Sequence, residues 1–215
     1  ALDLGLDELL FRDEASRAFF AQKDADLPPD ELPPELPAYL AALAPLVTRR
    51  GLAVDAGTGD GRLLEVLAPV FEHVVGIDRS AAQLERARRR LDARGHRNVT
   101  LLEGELDDAS LRAEVQARGG ADAVFAARVL HHAARPKKAL AALSQLLAPG
   151  GHVVVLDYAA HEDERMRDQQ ADQWLGFEPG ELRKMAQGAG LGACEVRSLP
   201  PLFRGRGPDA HVPWQ

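Results

Sequence analysis

Between Gly51 and Tyr158 the chain alternates short apolar runs with segments of helical period, and this alternation limits its fold more than any other feature. Residues 52–56, 73–77, 99–102, 121–126 and 153–156 read as strands. Between them, Leu63, Leu64, Leu67 and Val70 recur at helical spacing, followed by Leu84, Ala87 and Leu91. Leu111 with Val115, and then Leu140, Leu143 and Leu147, mark two more helices. Ser80 and Gln83 fit a capping box at the start of the second helix, and Gly95 is placed to stop it. Pro149-Gly150-Gly151 is expected to end the last. Strands joined by helices of roughly 10–15 residues form βαβ units, and so a parallel α/β sheet. The fifth strand, apolar throughout, is expected to be central and covered on both faces.

The flanks read differently. Residues 1–21 carry Leu6, Leu9, Leu10, Ala18, Phe19 and Phe20 at helix-like spacing. Pro28, Pro29, Pro33, Pro34 and Pro37 follow among acidic residues, which forbids helix interior and makes a linker. Tyr39, Leu40, Leu43 and Leu46 give one more short helix. Beyond Tyr158 comes a charged stretch over 161–173, then Trp174 and Phe177, a helix over 179–188 and a strand over 194–199. Residues 1–50 are therefore expected to form a helical cap with a proline-rich linker, and 51–215 the main domain. With 33 acidic against 26 basic side chains, the net charge of −7 excludes a protein that coats nucleic acid by bulk charge. Cys194 is the single cysteine, so disulfides and thiolate zinc sites within one chain are excluded and a cytoplasmic setting is the expectation. No run approaches the roughly 18–20 apolar residues of a membrane span. The first residue is Ala and no leader pattern follows, which makes an upstream segment an expectation.

The chemistry gathers at strand ends. Asp55-Ala56-Gly57-Thr58-Gly59-Asp60-Gly61 joins the first strand to its helix, and its glycines allow a sharp turn and close approach of a ligand to the backbone. A dinucleotide fingerprint requires glycine three residues after Gly59, where this chain has Arg62. Asp55 and Asp60 suit a cationic ligand better than a pyrophosphate. Asp78 ends the second strand about 20 residues on, where an acid reaches ribose hydroxyls. Gly104-Glu105-Leu106 follows the third strand, where a carboxylate can accept from an adenine amino group. Together these features make a nucleoside site at the carboxyl edge of the sheet. A nicotinamide-dependent oxidoreductase is the disfavoured rival.

Asp55–Gly61, Val75-Gly76-Ile77-Asp78, Gly104-Glu105, Val129-Leu130-His131-His132 and Ala148-Pro149-Gly150-Gly151 resemble, in order, the motifs of class I S-adenosylmethionine-dependent methyltransferases. The resemblance spans about residues 50–158 and implies a Rossmann-like, seven-stranded, mostly parallel sheet with helices on both faces. It implies that Asp55, Gly57, Thr58, Gly59 and Gly61 hold the methionine part of S-adenosylmethionine. Asp78 and Arg79 then lie at the ribose, Glu105 and Leu106 at the adenine, and Ala127 and Arg128 at the methionine end. Arg128 departs from the smaller residues common there. Ser16–Phe20, the stretch 168–177 and Gly207-Pro208-Asp209 are more specifically similar to methyltransferase domains fused to arsenic-repressor-type winged-helix regulators of bacteria. That likeness implies an upstream DNA-binding domain.

The expected activity is transfer of the sulfonium methyl to a small-molecule acceptor, leaving S-adenosylhomocysteine. The alternative is an effector domain that senses either molecule for a transcriptional regulator. Any base must lie beyond the strand ends, among His131, His132, Asp157, Tyr158 and His161, with His132, Asp157 and His161 as the catalytic candidates. Their spacing matches no tight ligand motif, and no metal site is expected. His161 reads most simply as part of a solvated helix face, as does the arginine run from Arg86 to Arg97. Phe19, Phe20, Trp174 and Phe177 are expected to roof the pocket. Neither membrane nor direct nucleic-acid binding is expected, and a homodimer is left open.

Overall fold

The computed structural model describes residues 36–170, 172–201 and 209–215. The chain divides into two units, Ala1–Leu36 and Pro37–Gln215, and the second contains the whole sheet. The expected N-terminal helix, Phe19 and Phe20, most of the proline segment and Gly207-Pro208 lie outside the described residues.

Five strands form this sheet: β1 (Leu52–Ala56), β2 (His73–Asp78), β3 (Val99–Glu103), β4 (Ala121–Ala127) and β5 (Leu147–Leu156). Helix α1 (Leu36–Leu43) precedes them; α2 (Leu64–Leu67), α3 (Ala81–Arg94), α4 (Ala109–Ala117) and α5 (Pro136–Ser144) alternate with them, and α6 (Arg165–Gln170) and α7 (Pro179–Gly188) come after. The strand order is β3-β2-β1-β4-β5 and every pairing is parallel. The central β1 is buried along its whole length, which explains why its residues are apolar apart from Asp55. Its residues alternate between faces. Leu52, Val54 and Ala56 join Leu111, Val115 and Leu143 on one side, while Ala53 joins Leu64, Leu67, Ala87 and Leu91 on the other. The order reverses between β1 and β4, so the crevice for a ligand opens at their carboxyl ends.

Four expectations change. The capping box at α3 is half made: the Ser80 hydroxyl accepts from Gln83 N, but Ser80 N–H donates to Asp78 Oδ1 at 2.9 Å and leaves Gln83 nothing to bond there. Ala148-Pro149-Gly150-Gly151 does not precede the fifth strand but begins it. Gly150 takes φ 77°, and a Cβ on Gly151 would lie 2.5 Å from Ala121 O, so these glycines let the strand slip past β4 with a break in register. The helix before it ends at Ser144. Finally, the seven-stranded sheet is five-stranded among the described residues. From 194–199 only Leu199 bonds strand-like, antiparallel to Trp214, which also pairs with Tyr158. Pro200 and Pro201 follow at once and have no N–H to extend a ladder. Among the described residues β5 is thus the last strand of this sheet, and Val154 is 44% exposed rather than covered. Among the described residues no helix is long and apolar enough to cross a membrane.

Candidate cofactor and acceptor site

Every strand delivers its last residues to the same edge. After β1 the chain turns through Gly57, Gly59 and Gly61, with φ of 75°, 53° and 82°, a left-handed region that favours glycine. Gly57 N and Thr58 N both donate to Ile77 O, which ties the loop to the end of β2. A Cβ on Gly59 would meet nothing within 4 Å, whereas one on Gly61 would stand 2.8 Å from Ala87 Cβ. Gly59 therefore faces open space, and Gly61 lets α3 pack against the loop.

Asp78 is half-buried at the end of β2 and accepts from Gly59 N at 2.8 Å and Ser80 N at 2.9 Å. Each oxygen keeps acceptor capacity for a hydroxyl. Arg79 beside it is exposed. Glu105 is exposed after β3 and its N–H donates to Asp108 Oδ2; Leu106 is half-buried. Arg79, Glu105, Leu106, His132, Lys138 and Gln173 line a cavity of about 300 Å³.

Asp55 is 2% exposed and accepts from the Thr58 hydroxyl. Burial pushes its carboxyl up to about 6; the Thr58 hydroxyl opposes this and the charge of Asp78 adds to it. The folded protein thus binds a proton here that the unfolded chain, titrating near the ordinary 3.8, has released. Stability should fall as pH rises from about 4 to 6, by roughly 3 kcal/mol, and level off above. Urea denaturation of wild type and Asp55→Asn across that range should show the variant gaining by this amount relative to wild type. Parallel pH curves would refute the assignment.

Ala127 ends β4, and Arg128 takes φ 61° although it is not glycine. Its guanidinium pairs with the buried Asp209 at 2.9 Å, reaches Tyr158 Oη at 3.4 Å and lies 5.6 Å from the Trp214 ring centre. The bulk that departs from the family pattern neutralises a carboxylate buried under it. Tyr158 donates to Asp209 Oδ2 at 2.9 Å, and burial holds its phenol well above the usual range, which removes it as a base.

Asp157 is fully buried and accepts from Leu130 N, His131 Nδ1 and Tyr158 N. It anchors the turn after β4. His131 is likewise fully buried, stacked on Tyr158 with centroids 4.3 Å apart. His161 is not on a solvated helix face: α6 begins at Arg165, His161 Nδ1 accepts from Asp163 N, and its Nε2 is buried. Of the catalytic candidates, only His132 lines the cavity. Trp174 donates to Ala133 O and stacks on Phe177, while Phe177 packs into the core with Leu182 and Met185. The arginine run is engaged with acids: Arg88 and Arg89 with Glu85, Arg90 and Arg94 with Glu65, Arg97 with Asp92.

Sequence patterns do not single out Asp172 or Trp214. Asp172 sits in a charged run without periodicity, and Trp214 acts through pairing with Tyr158 and Leu199 and through its ring beside Arg128.

Residues 54–153 match a family model described as a methyltransferase domain. The match covers 100 of the 215 residues, and with this sheet order and these loops the segment is similar to class I S-adenosylmethionine-dependent methyltransferase domains. S-adenosylmethionine is the cofactor of the class. An uncharacterized 37.1 kDa transposon protein of Streptomyces fradiae is 32% identical over 168 residues, 71% of this chain and 46% of its own length. A demethylmenaquinone methyltransferase of Thermus thermophilus is 39% identical over 111 residues, 51% of this chain and 47% of its own. The chain spans about half the length of these curated relatives. A structure of an S-adenosylmethionine-dependent methyltransferase from Aquifex aeolicus superposes with a TM-score of 0.56 at 21% identity, over 77% of this chain and 92% of that one.

The residues present fit the cofactor. Open space stands over Gly59, and Asp78 retains acceptor capacity beside it.

Proposed function

We propose that this protein transfers the sulfonium methyl of S-adenosylmethionine to a small-molecule acceptor. One observation carries the reading: the left-handed glycine loop, Asp78 and Glu105 stand at successive ends of β1, β2 and β3, on the edge where parallel sheets bind ligands. The bound cofactor supplies an electrophilic methyl on a cationic sulfur, so the hard chemistry is its own. The chain's part is to bind, orient and exclude water. In this reading Asp55, Gly57, Thr58, Gly59 and Gly61 hold the methionine part, with Ala127 and Arg128 at its far end. Asp78 accepts from the ribose hydroxyls with Arg79 alongside, and Glu105 with Leu106 reads the adenine. A small-molecule acceptor is supported by the relative named a demethylmenaquinone methyltransferase.

Asp78→Ala removes a charged acceptor from two hydroxyls, worth about 1.5–3 kcal/mol, so affinity for S-adenosylhomocysteine should fall roughly 10- to 100-fold. Calorimetry showing wild-type affinity in this variant would sink the assignment.

A second reading is a cofactor-binding effector domain of a winged-helix regulator. It is favoured by the commitment of Asp157 and Tyr158 to buried hydrogen bonds instead of proton transfer. Reading the coding frame upstream tests it: a winged helix there supports the regulator, and a frame without one removes it.

A further inference from the structure

Asp172 is 4% exposed, and both its carboxylate oxygens are buried without a hydrogen-bond partner. A carboxylate buried without donors is unstable unless a cation stands against it. The nearest basic atoms are His131 Nε2 at 3.6 Å and His132 Nδ1 at 3.7 Å from Oδ1, too far for hydrogen bonds. The two histidines themselves approach with Nε2 atoms 3.0 Å apart. One ligand atom from each of the three residues lies within 4.8 Å of the others. An ion about 2.1 Å from each ligand keeps neighbouring ligands roughly 3.0–3.5 Å apart, and only one His132 nitrogen can serve it, so the partly exposed His132 ring must shift and its hydrogen bond to His131 open for the three to close around one.

The surroundings orient the cluster. His131 Nδ1 lies 2.7 Å from Asp157 Oδ1, on a carboxylate that already accepts from Leu130 N and Tyr158 N and so takes a donor here too. The ring proton is therefore on Nδ1, and the Nε2 lone pair points at the cluster. Carboxylate, imidazole and ion in line is the arrangement that fixes histidine ligands in metal sites. Tyr158 stacks on the same ring, while Gln173 N and Trp174 N both donate to His131 O and hold the Asp172 segment beside it. Nothing in the cofactor reading uses Asp172.

We propose that His131, His132 and Asp172 bind one divalent transition-metal ion, with Asp157 as a positioning residue. Two imidazoles and a carboxylate suit zinc, cobalt, manganese or iron; calcium and magnesium favour all-oxygen sites. Three protein ligands leave at least one coordination position, and His132 places the ion next to the cavity of about 300 Å³. An oxygen or nitrogen donor on a molecule in that cavity could fill it. Binding of the ion does not depend on methyl transfer and is measured by itself.

The test is titration of metal-stripped protein with Co²⁺ and then Zn²⁺, followed by calorimetry and by the visible ligand-field bands of cobalt. One Co²⁺ per chain should bind, with bands that one equivalent of Zn²⁺ abolishes. Asp157→Asn should weaken binding about 10- to 100-fold, and loss of a ligand in Asp172→Asn or His132→Ala should cost more. Bound Zn²⁺ should raise the Tm of wild type and leave that of Asp172→Asn unchanged. His132 is partly exposed, so His132→Ala provides a folded variant, checked by circular dichroism, should changes at the buried positions unfold the chain. Absence of saturable binding of either ion overturns the proposal, and so does binding that folded Asp172→Asn and His132→Ala both retain.

Discussion

Asp157→Ala should lower the unfolding free energy by about 3–5 kcal/mol, the range for removing one partner of a buried charged contact. The carboxylate has no solvent exposure and accepts from Leu130 N at 2.9 Å, Tyr158 N at 2.8 Å and His131 Nδ1 at 2.7 Å. Truncation would strand three buried donors where β5 ends and the turn after β4 begins. Asp157→Asn should cost less, because one oxygen still accepts and the volume is kept. Since domains of this size are stable by only about 5–15 kcal/mol, the Ala variant should unfold at a much lower urea concentration. An unchanged urea midpoint would show that Asp157 is not the anchor of this edge.

Gly61→Ala and Gly59→Ala should separate fold from ligand within one loop. At Gly61 the φ of 82° strains any other residue by about 1–2 kcal/mol. The new Cβ would also lie 2.8 Å from Ala87 Cβ and 3.0 Å from its Cα, and overpacking of this kind adds about 1–3 kcal/mol. Gly61→Ala should thus cost about 2–5 kcal/mol of stability. At Gly59 the Cβ meets nothing within 4 Å, so only the backbone strain of about 1–2 kcal/mol applies. The same Cβ would intrude where the cofactor is proposed to lie, and affinity for S-adenosylhomocysteine should fall at least 10-fold. Thermal melts and calorimetry on both variants decide this. Equal destabilisation with equal loss of binding would mean that the loop's two glycines do not have distinct tasks.

What can be read from the sequence is local. Asp55, Asp78 and Glu105 each follow a short apolar run, and a parallel sheet carries such positions to one edge whatever the rest of the chain does. Gly95 stops α3 as expected because one left-handed residue is enough to do so. Contacts between distant segments are not legible. Asp172 faces His131 and His132 only because Gln173 N and Trp174 N bond to His131 O, a pairing that no period announces. Arg128 looks out of place until Asp209 and Trp214 fold over it. The run at 194–199 has a strand-like pattern, but strand formation depends on a neighbouring edge more than on propensity, and only Leu199 finds one. His161 departs from its expected helix face because the charges around it lie on a loop before α6.

The central claim is that the edge of the sheet holds a cationic nucleoside cofactor and not a dinucleotide. Calorimetric titration of the purified chain with S-adenosylmethionine, S-adenosylhomocysteine and NADH tests it most directly. Saturable 1:1 binding of the first two, with no heat from NADH, is the predicted result. Saturation by NADH with no binding of either sulfur nucleoside would contradict it.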